Sequence, residues 1–287
     1  VCGPTACGKS GVADGLAGGV CEASGLEVPS IVVDSMQVYR ELPVVTNQYR
    51  ERPAKLTGIV PVSEEWTVAR HGKATEAEIR KAAGPFVLDA GTGMYLNAIL
   101  LDLDLAPKVP EDLRAEAASR VSEIESSEGA NPRREARRVE LELAGAEQRG
   151  SIWDGGLRYA TSLLYVRPPR EELDHRIRLR SRRIIRDGAE EVAEVLRRWQ
   201  ELGVEPNGSV KQSVGFKEMA LYVTGEASLE WAEEKINTRT RRLARRQMRW
   251  FDKLCGSLPE GTEIVVSEGA DTDEAASYVN GMIGLWK

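Results

Sequence analysis

The sequence is poor in the residues from which most metal centres and nucleophile–base pairs are built. Only two histidines occur in 287 residues, His71 and His175, which argues against a His-based metal site or triad. The four cysteines (Cys2, Cys7, Cys21, Cys255) form no C-x-x-C pair and no zinc-ligand spacing. Reduced thiols and a cytoplasmic setting are therefore expected. No apolar run reaches the length of about 18 residues that a membrane helix needs, and no secretory leader is visible. Internal repeats and low-complexity tracts are missing too. The chain has no initiating methionine and starts inside what its pattern makes a strand. The natural N-terminus is expected upstream of Val1, and that strand is expected at the centre of a sheet.

A formal net charge of −6 argues against a nucleic-acid partner until the charges are placed. Residues 167–186 carry eight arginines against Glu171, Glu172 and Asp174, and residues 239–249 carry six arginines and no acid. Two such runs are either solvated helix faces or a phosphate-gripping surface on an acidic protein.

What is present at the N-terminus is specific. Gly3-Pro4-Thr5-Ala6-Cys7-Gly8-Lys9-Ser10 fits G-x-x-x-x-G-K-[ST], the phosphate-cradling P-loop. Its glycines let successive N–H groups turn toward an anion, and the following helix aims its positive end at the same place. Lys9 supplies a point charge, and Ser10 a hydroxyl ligand for Mg²⁺. The following helix is diluted by Gly11, Gly15, Gly18 and Gly19.

The apolar run at residues 30–33, closing on Asp34, reads as a parallel strand with a functional tip, and residues 85–89 read as another strand. Residues 40–60 look irregular. A helix is expected over 64–83, and Thr92 suits the N-cap of another, ending near Leu101. Leu113, Ala117, Val121 and Ile124, then Ala136, Val139, Leu143 and Ala146, form two helical stripes. They predict a helical hairpin at 104–157, inserted into a core made of 1–103 and 158–287. Beyond it come a strand near 158–166, helices to Gly203, and a long helix from Ser228 to Leu254. The stripe of that helix is Leu229, Ala232, Ile236, Thr240, Leu243, Gln247 and Phe251. A strand at 264–266 and a last helix close the chain.

These residues resemble the tRNA dimethylallyltransferases (tRNA isopentenyltransferases). The P-loop looks like that family's G-P-T-A-[SG]-G-K-[ST], and Asp34-Ser35-Met36-Gln37-Val38-Tyr39 matches its second motif. Gly91-Thr92-Gly93-Met94-Tyr95-Leu96 is similar to G-G-T-G-L-Y-L, and Asn131, Arg133, Arg134, Arg137 and Glu140 resemble N-x-R-R-x-x-R-A-L-E. Val214-Gly215-Phe216-Lys217-Glu218 and the run from Thr240 to Gln247, then Trp250-Phe251, complete an ordered set spanning nearly the whole chain. Three departures mark a divergent member. Gln48 stands where the family has a lysine, the paired histidines before L-I-D are replaced around Lys55-Leu56-Thr57, and the insertion is short.

The resemblance implies an α/β fold, a P-loop NTPase-like parallel sheet flanked by helices, with a small helical insertion domain. It implies that the P-loop holds the diphosphate of dimethylallyl diphosphate. Gly3, Pro4, Thr5, Ala6, Cys7, Gly8, Lys9, Ser10 and Thr92 would contact the diphosphate, and Ser10 the Mg²⁺. Asp34 would take the proton from adenine N6, with Thr5 and Lys217 stabilising the leaving group. Ser35, Gln37, Arg134, Arg137, Arg241, Arg245, Arg246 and Gln247 would meet the anticodon stem-loop of tRNA. A monomer without membrane attachment is expected. Two other functions stay open at this point. One is a small-molecule kinase using the strand that ends at Asp34 or Asp89 as a Walker-B-like element. The other is a non-catalytic RNA-binding relative.

Overall fold

The computed structural model of the chain describes residues 1–103, 109–123, 132–146 and 151–286, apart from the side chains of 122–123 and 132–134. Among the described residues, four strands pair in parallel couples. β1 (Ser30–Val33) lies beside β2 (Val87–Ala90) with Val32 opposite Asp89, and β3 (Ser162–Val166) beside β4 (Glu263–Ser267) with Tyr165 opposite Val266. Cys2 bridges the couples, parallel to Ala90 on one side and Tyr165 on the other. The result is one parallel sheet in the order β1, β2, Cys2, β3, β4. The segment feeding the P-loop is central in it, as its apolar surroundings predict. β1 and β2 are buried along their whole length, as strands covered on both faces must be. β4 is the partly exposed edge.

The helices, in chain order, are α1 (Lys9–Ser24), α2 (Pro43–Thr46), α3 (Val68–Ala82), α4 (Gly93–Leu100), α5 (Glu111–Glu123), α6 (Pro132–Leu143), α7 (Arg170–Asp187), α8 (Ala189–Leu202), α9 (Gly208–Lys211), α10 (Phe216–Val223), α11 (Leu229–Ser257) and α12 (Asp273–Gly284). One face of the sheet is covered by α1 and α12, with Leu16, Val20, Leu164 and Tyr278 in their core. The glycines of α1 do not prevent a helix, because packing supplies what propensity lacks. A Cβ on Gly19 would lie 2.2 Å from Ile283 Cδ1, so that glycine permits the close approach of α12. The other face holds the larger core, including Tyr39, Tyr95, Phe216 and Phe251. None of the described helices is long and apolar enough to cross a membrane.

Helices α5 and α6 pack on each other. Of the two predicted stripes, Ala117 and Val139 are buried, joined by Leu141, which neither stripe included; Ile124 lies outside the described residues. The chain re-enters the core through an antiparallel bridge between Leu101 and Leu157. The long helix α11 buries Ala232, Ile236, Thr240, Ala244, Phe251 and Leu254, while Leu229, placed on the predicted stripe, is exposed at its first turn. The irregular stretch at 40–60 contains α2, whose free N–H groups at Val44 and Val45 are taken by the Glu191 carboxylate at 2.7 and 3.1 Å. Helix α10 was not anticipated either. It begins at Gly215, with φ of 96°, and Glu218 Oε2 accepts from the Gly215 N–H at 2.9 Å.

His71 is a core residue. Its Nδ1 accepts from Trp66 Nε1 at 2.9 Å, which leaves the proton on Nε2 to reach Val32 O at 3.0 Å. Burial lowers its pKa from 6.5 to about 4, and protonating Nδ1 would set two donors against each other. The unfolded chain therefore binds a proton that the folded chain refuses between those values. Unfolding free energy is expected to fall by about 3 kcal/mol as pH drops from 6.5 toward 4, then to level off. Urea unfolding of wild type and His71→Gln at several pH values checks this. The variant is less stable at neutral pH but loses that part of the slope, and equal slopes would refute the assignment.

Candidate active site

The carboxyl ends of the strands in an open parallel sheet form the edge where ligands bind, and there the P-loop sits between β2 and β3. Gly3 is required by close approach: a Cβ would lie 2.6 Å from Val166 O. The loop then turns through Ala6, with φ of 66°, and Gly8, with φ of 90°. Ala6 in the left-handed region is uncommon for a residue with a side chain and marks a conformation imposed by its surroundings. Pro4 O receives Lys9 Nζ at 3.4 Å and the Cys7 N–H at 3.4 Å. The Cys7 thiol is buried, and burial pushes its pKa up, so it is a filler here and not a nucleophile.

Thr5 is held from both ends. Its N–H donates to Gln247 Oε1 at 2.8 Å, and its Oγ1 accepts from Arg180 at 2.6 Å. Gln247 Nε2 donates in turn to Gly91 O at 2.8 Å. Both ends of the half-buried Gln247 amide are bonded inside the site, at a residue expected to meet RNA. Arg180 is the residue that motif matching passed over. Its Nε is buried without a partner. Burial lowers its pKa, and the nearby Asp34 carboxylate opposes that. Arg176 lies one turn earlier on α7 and donates to Cys7 O at 3.2 Å. The signal was available: positions 176 and 180 are four apart and adjoin the buried positions 173, 177 and 184 of the same helix.

Asp34 follows β1 directly. Its Oδ1 accepts from the N–H groups of Met36 at 2.8 Å and Gln37 at 3.2 Å, so one oxygen does cap the turn. Among the described residues no hydrogen bond reaches Oδ2. A Cβ placed on Gly91 would lie 2.8 Å from that oxygen and 3.6 Å from Lys9 Nζ. The carboxylate and the ammonium thus flank one glycine, and a side chain there would close the space between them. Thr92 Oγ1 accepts from the Ser35 N–H at 3.1 Å and does not cap α4. The threonine expected as an N-cap instead ties the Asp34 turn to the β2–α4 junction. Gln37 is 9 % exposed, and its Oε1 is buried without a partner.

Beneath the P-loop lies a buried charge cluster. Arg50 reaches Asp14 at 2.7 Å and Asp89 Oδ2 at 2.6 Å, and all three side chains are at most 4 % exposed. Burial alone would raise the Asp89 pKa, but the Lys9 ammonium, the Arg50 guanidinium and the Ser10 hydroxyl hold it below the usual carboxylate range. Asp89 Oδ1 is buried and accepts no regular hydrogen bond. A P-loop hydroxyl beside a carboxylate oxygen is a donor set suited to a hard divalent cation that keeps some of its waters.

Among the described residues no hydrogen bond joins Lys217 to the P-loop. It is exposed on α10, with Nζ 3.5 Å from Gln212 Oε1, and the cation on the P-loop threonine is Arg180. Gln48, in place of the family's lysine, donates to Tyr39 O at 2.7 Å and Thr46 Oγ1 at 2.9 Å, a tie within its own loop. Arg245 and Arg246 are exposed on α11, while Arg241 is half-buried and 3.5 Å from Asp174. Arg137 is on α6 with Glu140 at 2.7 Å; the Arg134 side chain and Asn131 lie outside the described residues. Helices α7 and α11 pack together, and Arg178, Arg182, Arg242 and Arg249 are exposed on them beside Arg245 and Arg246.

Known proteins are similar to this chain in sequence and in fold. A model of the IPP transferase family matches residues 37–254. The tRNA dimethylallyltransferase of Rubrobacter xylanophilus is 54 % identical over 268 residues, covering 93 % of this chain and 90 % of that protein. That of Phenylobacterium zucineum is 33 % identical, covering 91 % of each. In fold, the tRNA isopentenylpyrophosphate transferase of Bacillus halodurans superposes over 99 % of this chain and 96 % of its own, with a TM-score of 0.68 at 24 % identity. A eukaryotic dimethylallyltransferase seen acting on tRNA matches 99 % of this chain and 78 % of its own, with a TM-score of 0.71 at 21 % identity. With the family model across most of its length and a relative identical at more than half of the aligned positions, the chain belongs to the IPP transferase family, the tRNA dimethylallyltransferases.

Proposed function

We propose that the chain transfers a dimethylallyl group from dimethylallyl diphosphate to N6 of an adenine next to the anticodon of tRNA, releasing diphosphate. The observation that carries this reading is the convergence of Asp34 Oδ2 and Lys9 Nζ on Gly91, beside a P-loop whose Thr5 is held by Arg180. A base and a phosphate-binding cation share one small space. The exocyclic amine of adenine is a weak nucleophile, so a carboxylate in reach of its proton is the least the reaction requires. Nitrogen N6 attacks the allylic carbon, the carbon–oxygen bond to diphosphate breaks, and the N6 proton passes to Asp34 Oδ2. The leaving diphosphate gains negative charge, which Lys9, Thr5, Arg180 and the free P-loop amides are placed to stabilise.

Ser10 and the vacant oxygen of Asp89 fit a divalent cation. Ser10 would hold Mg²⁺ against the diphosphate, where the ion would neutralise developing charge. The target adenine leaves its stack to enter the site. The exposed arginines of α7 and α11, with the insertion at 104–157, would grip the stem backbone through its phosphates. Action as a monomer belongs to this reading, and tRNA as the substrate supports a cytoplasmic setting. A kinase has no use for the paired arginine helices.

Two experiments test this. With labelled dimethylallyl diphosphate, Mg²⁺ and an anticodon stem-loop, wild type transfers label, and Asp34→Asn loses about 10²- to 10⁴-fold in rate while still binding RNA. Arg180→Gln is expected to lose about 10²- to 10³-fold, with melting temperature little changed. Transfer by Asp34→Asn at the wild-type rate would remove Asp34 as the base. Binding of the stem-loop should also weaken steeply between 50 and 200 mM salt, and replacing both Arg245 and Arg246 with Ala should lower the slope by about two.

A further inference from the structure

Among the described residues, Asp89 is the buried carboxylate near the P-loop with an oxygen to spare. Its Oδ2 is taken by Arg50, and its Oδ1 is buried with no hydrogen-bond partner. An unpartnered carboxylate oxygen, in a side chain about 1 % exposed, is costly unless something occupies the place beside it. The neighbours say what that is. Ser10 is close enough to stabilise the ionised carboxylate, and Lys9 and Arg50 are its nearest cations. Arg50 is shared with Asp14, so one guanidinium serves two carboxylates and leaves Asp89 Oδ1 without a bond from it. Position adds a second argument. Asp89 is on β2, the strand bridged to the P-loop segment through Ala90 and Cys2, at the carboxyl edge of the sheet.

We propose that Asp89 is a metal-positioning carboxylate, with Oδ1 contacting the coordination sphere of a divalent cation that Ser10 and the bound diphosphate hold from the other side. The inference rests on the diphosphate reading above. It turns a serine-only metal contact into one anchored from the sheet. Among the described residues no group of three or more His, Cys, Asp and Glu side chains is placed to hold a metal unaided. The ion would therefore bind with the diphosphate, not before it, as Mg²⁺ does when one carboxylate and substrate phosphates share it.

The test uses Mn²⁺ as the spectroscopic stand-in and inorganic pyrophosphate as the anion, with the full chain. Electron paramagnetic resonance titrations measure Mn²⁺ binding with pyrophosphate present for wild type, Asp89→Asn, Asp14→Asn and Ser10→Ala. Wild type should bind Mn²⁺ only with pyrophosphate, and Asp89→Asn should bind it about 10- to 100-fold more weakly. Asp14→Asn also leaves Arg50 short of a partner but keeps Oδ1, so it should bind Mn²⁺ like wild type. That separates the metal from the ion pair. Because Asp89→Asn can fail to fold, wild type carrying carboxyl-¹³C aspartate gives a second readout, a Mn²⁺–¹³C dipolar coupling in electron–nuclear double resonance. Unchanged Mn²⁺ binding in Asp89→Asn, with loss in Ser10→Ala, would overturn the role of Asp89 and leave the P-loop reading standing. An equal loss in Asp14→Asn would also overturn it, tracing the effect to the ion pair. Absence of pyrophosphate binding in wild type would overturn both.

Discussion

One side-chain amide ties the two halves of this chain together at its site. Gln247, deep in the sequence, bonds the Thr5 N–H at one end and Gly91 O at the other. The P-loop and the β2–α4 junction are therefore spaced by a rigid planar group and not by contact alone. That spacing matters because the P-loop contains Ala6 in a left-handed conformation, which persists only where the surroundings over-determine it. Helix α11 carries the amide, and its own position is fixed close by. A Cβ on Gly93 would lie 2.2 Å from the Trp250 ring, and Trp250 Nε1 donates to Asn97 Oδ1 at 3.1 Å. Two residues further on, Asp252 accepts from Arg167 and from the Tyr165 hydroxyl of β3. A single helix of 29 residues thus sets the sheet, the α4 helix and the phosphate loop in one frame.

Electrostatics near the loop follow from burial. Asp14, Arg50 and Asp89 would each be strongly penalised alone, and they are tolerated because the guanidinium fork bonds Asp14, one oxygen of Asp89 and Ser30 at once. The cluster is next to Lys9, which therefore looks in two directions: down to Asp89 and up toward the space it shares with Asp34. An ammonium so placed faces the space into which a phosphate would enter.

Much of this was legible in the sequence, and the parts that were not share a physical cause. Strands at 30–33 and 264–266 and the long helix from Ser228 show in their periodicity, since burial of one face imposes it. Short elements such as α2 and α10 carry no such period. They exist because carboxylates satisfy their ends, the distant Glu191 for α2 and the buried Glu218 within α10 itself. Motif order pointed to Thr5, Lys9 and Asp34 as neighbours, because the P-loop and the end of β1 meet at one sheet edge. It could not say that Gln247 turns inward, since an amide on the margin of an apolar stripe serves equally well facing water. Nor could it rank Lys217 against Arg180, because a motif records residue types and not which side of a helix meets the loop.

The arginine run of α7 makes that last point in detail. Residues 176 and 180 fall beside the buried line of Leu173, Ile177 and Ile184, and both point at the P-loop. Residues 178 and 182 fall on the opposite side and are exposed. Composition treats these as one basic patch, yet helical spacing of about 3.6 residues per turn divides them into two populations. The inner pair is held in a fixed fork geometry at a backbone carbonyl and a threonine hydroxyl, where planarity and permanent charge favour arginine over lysine. The outer group, next to the exposed arginines of α11, is free to follow a flexible polyanion. A chain of net charge −6 can therefore carry both a buried anion site and a basic surface, because the opposite charges are sorted by helix face and not by sequence segment.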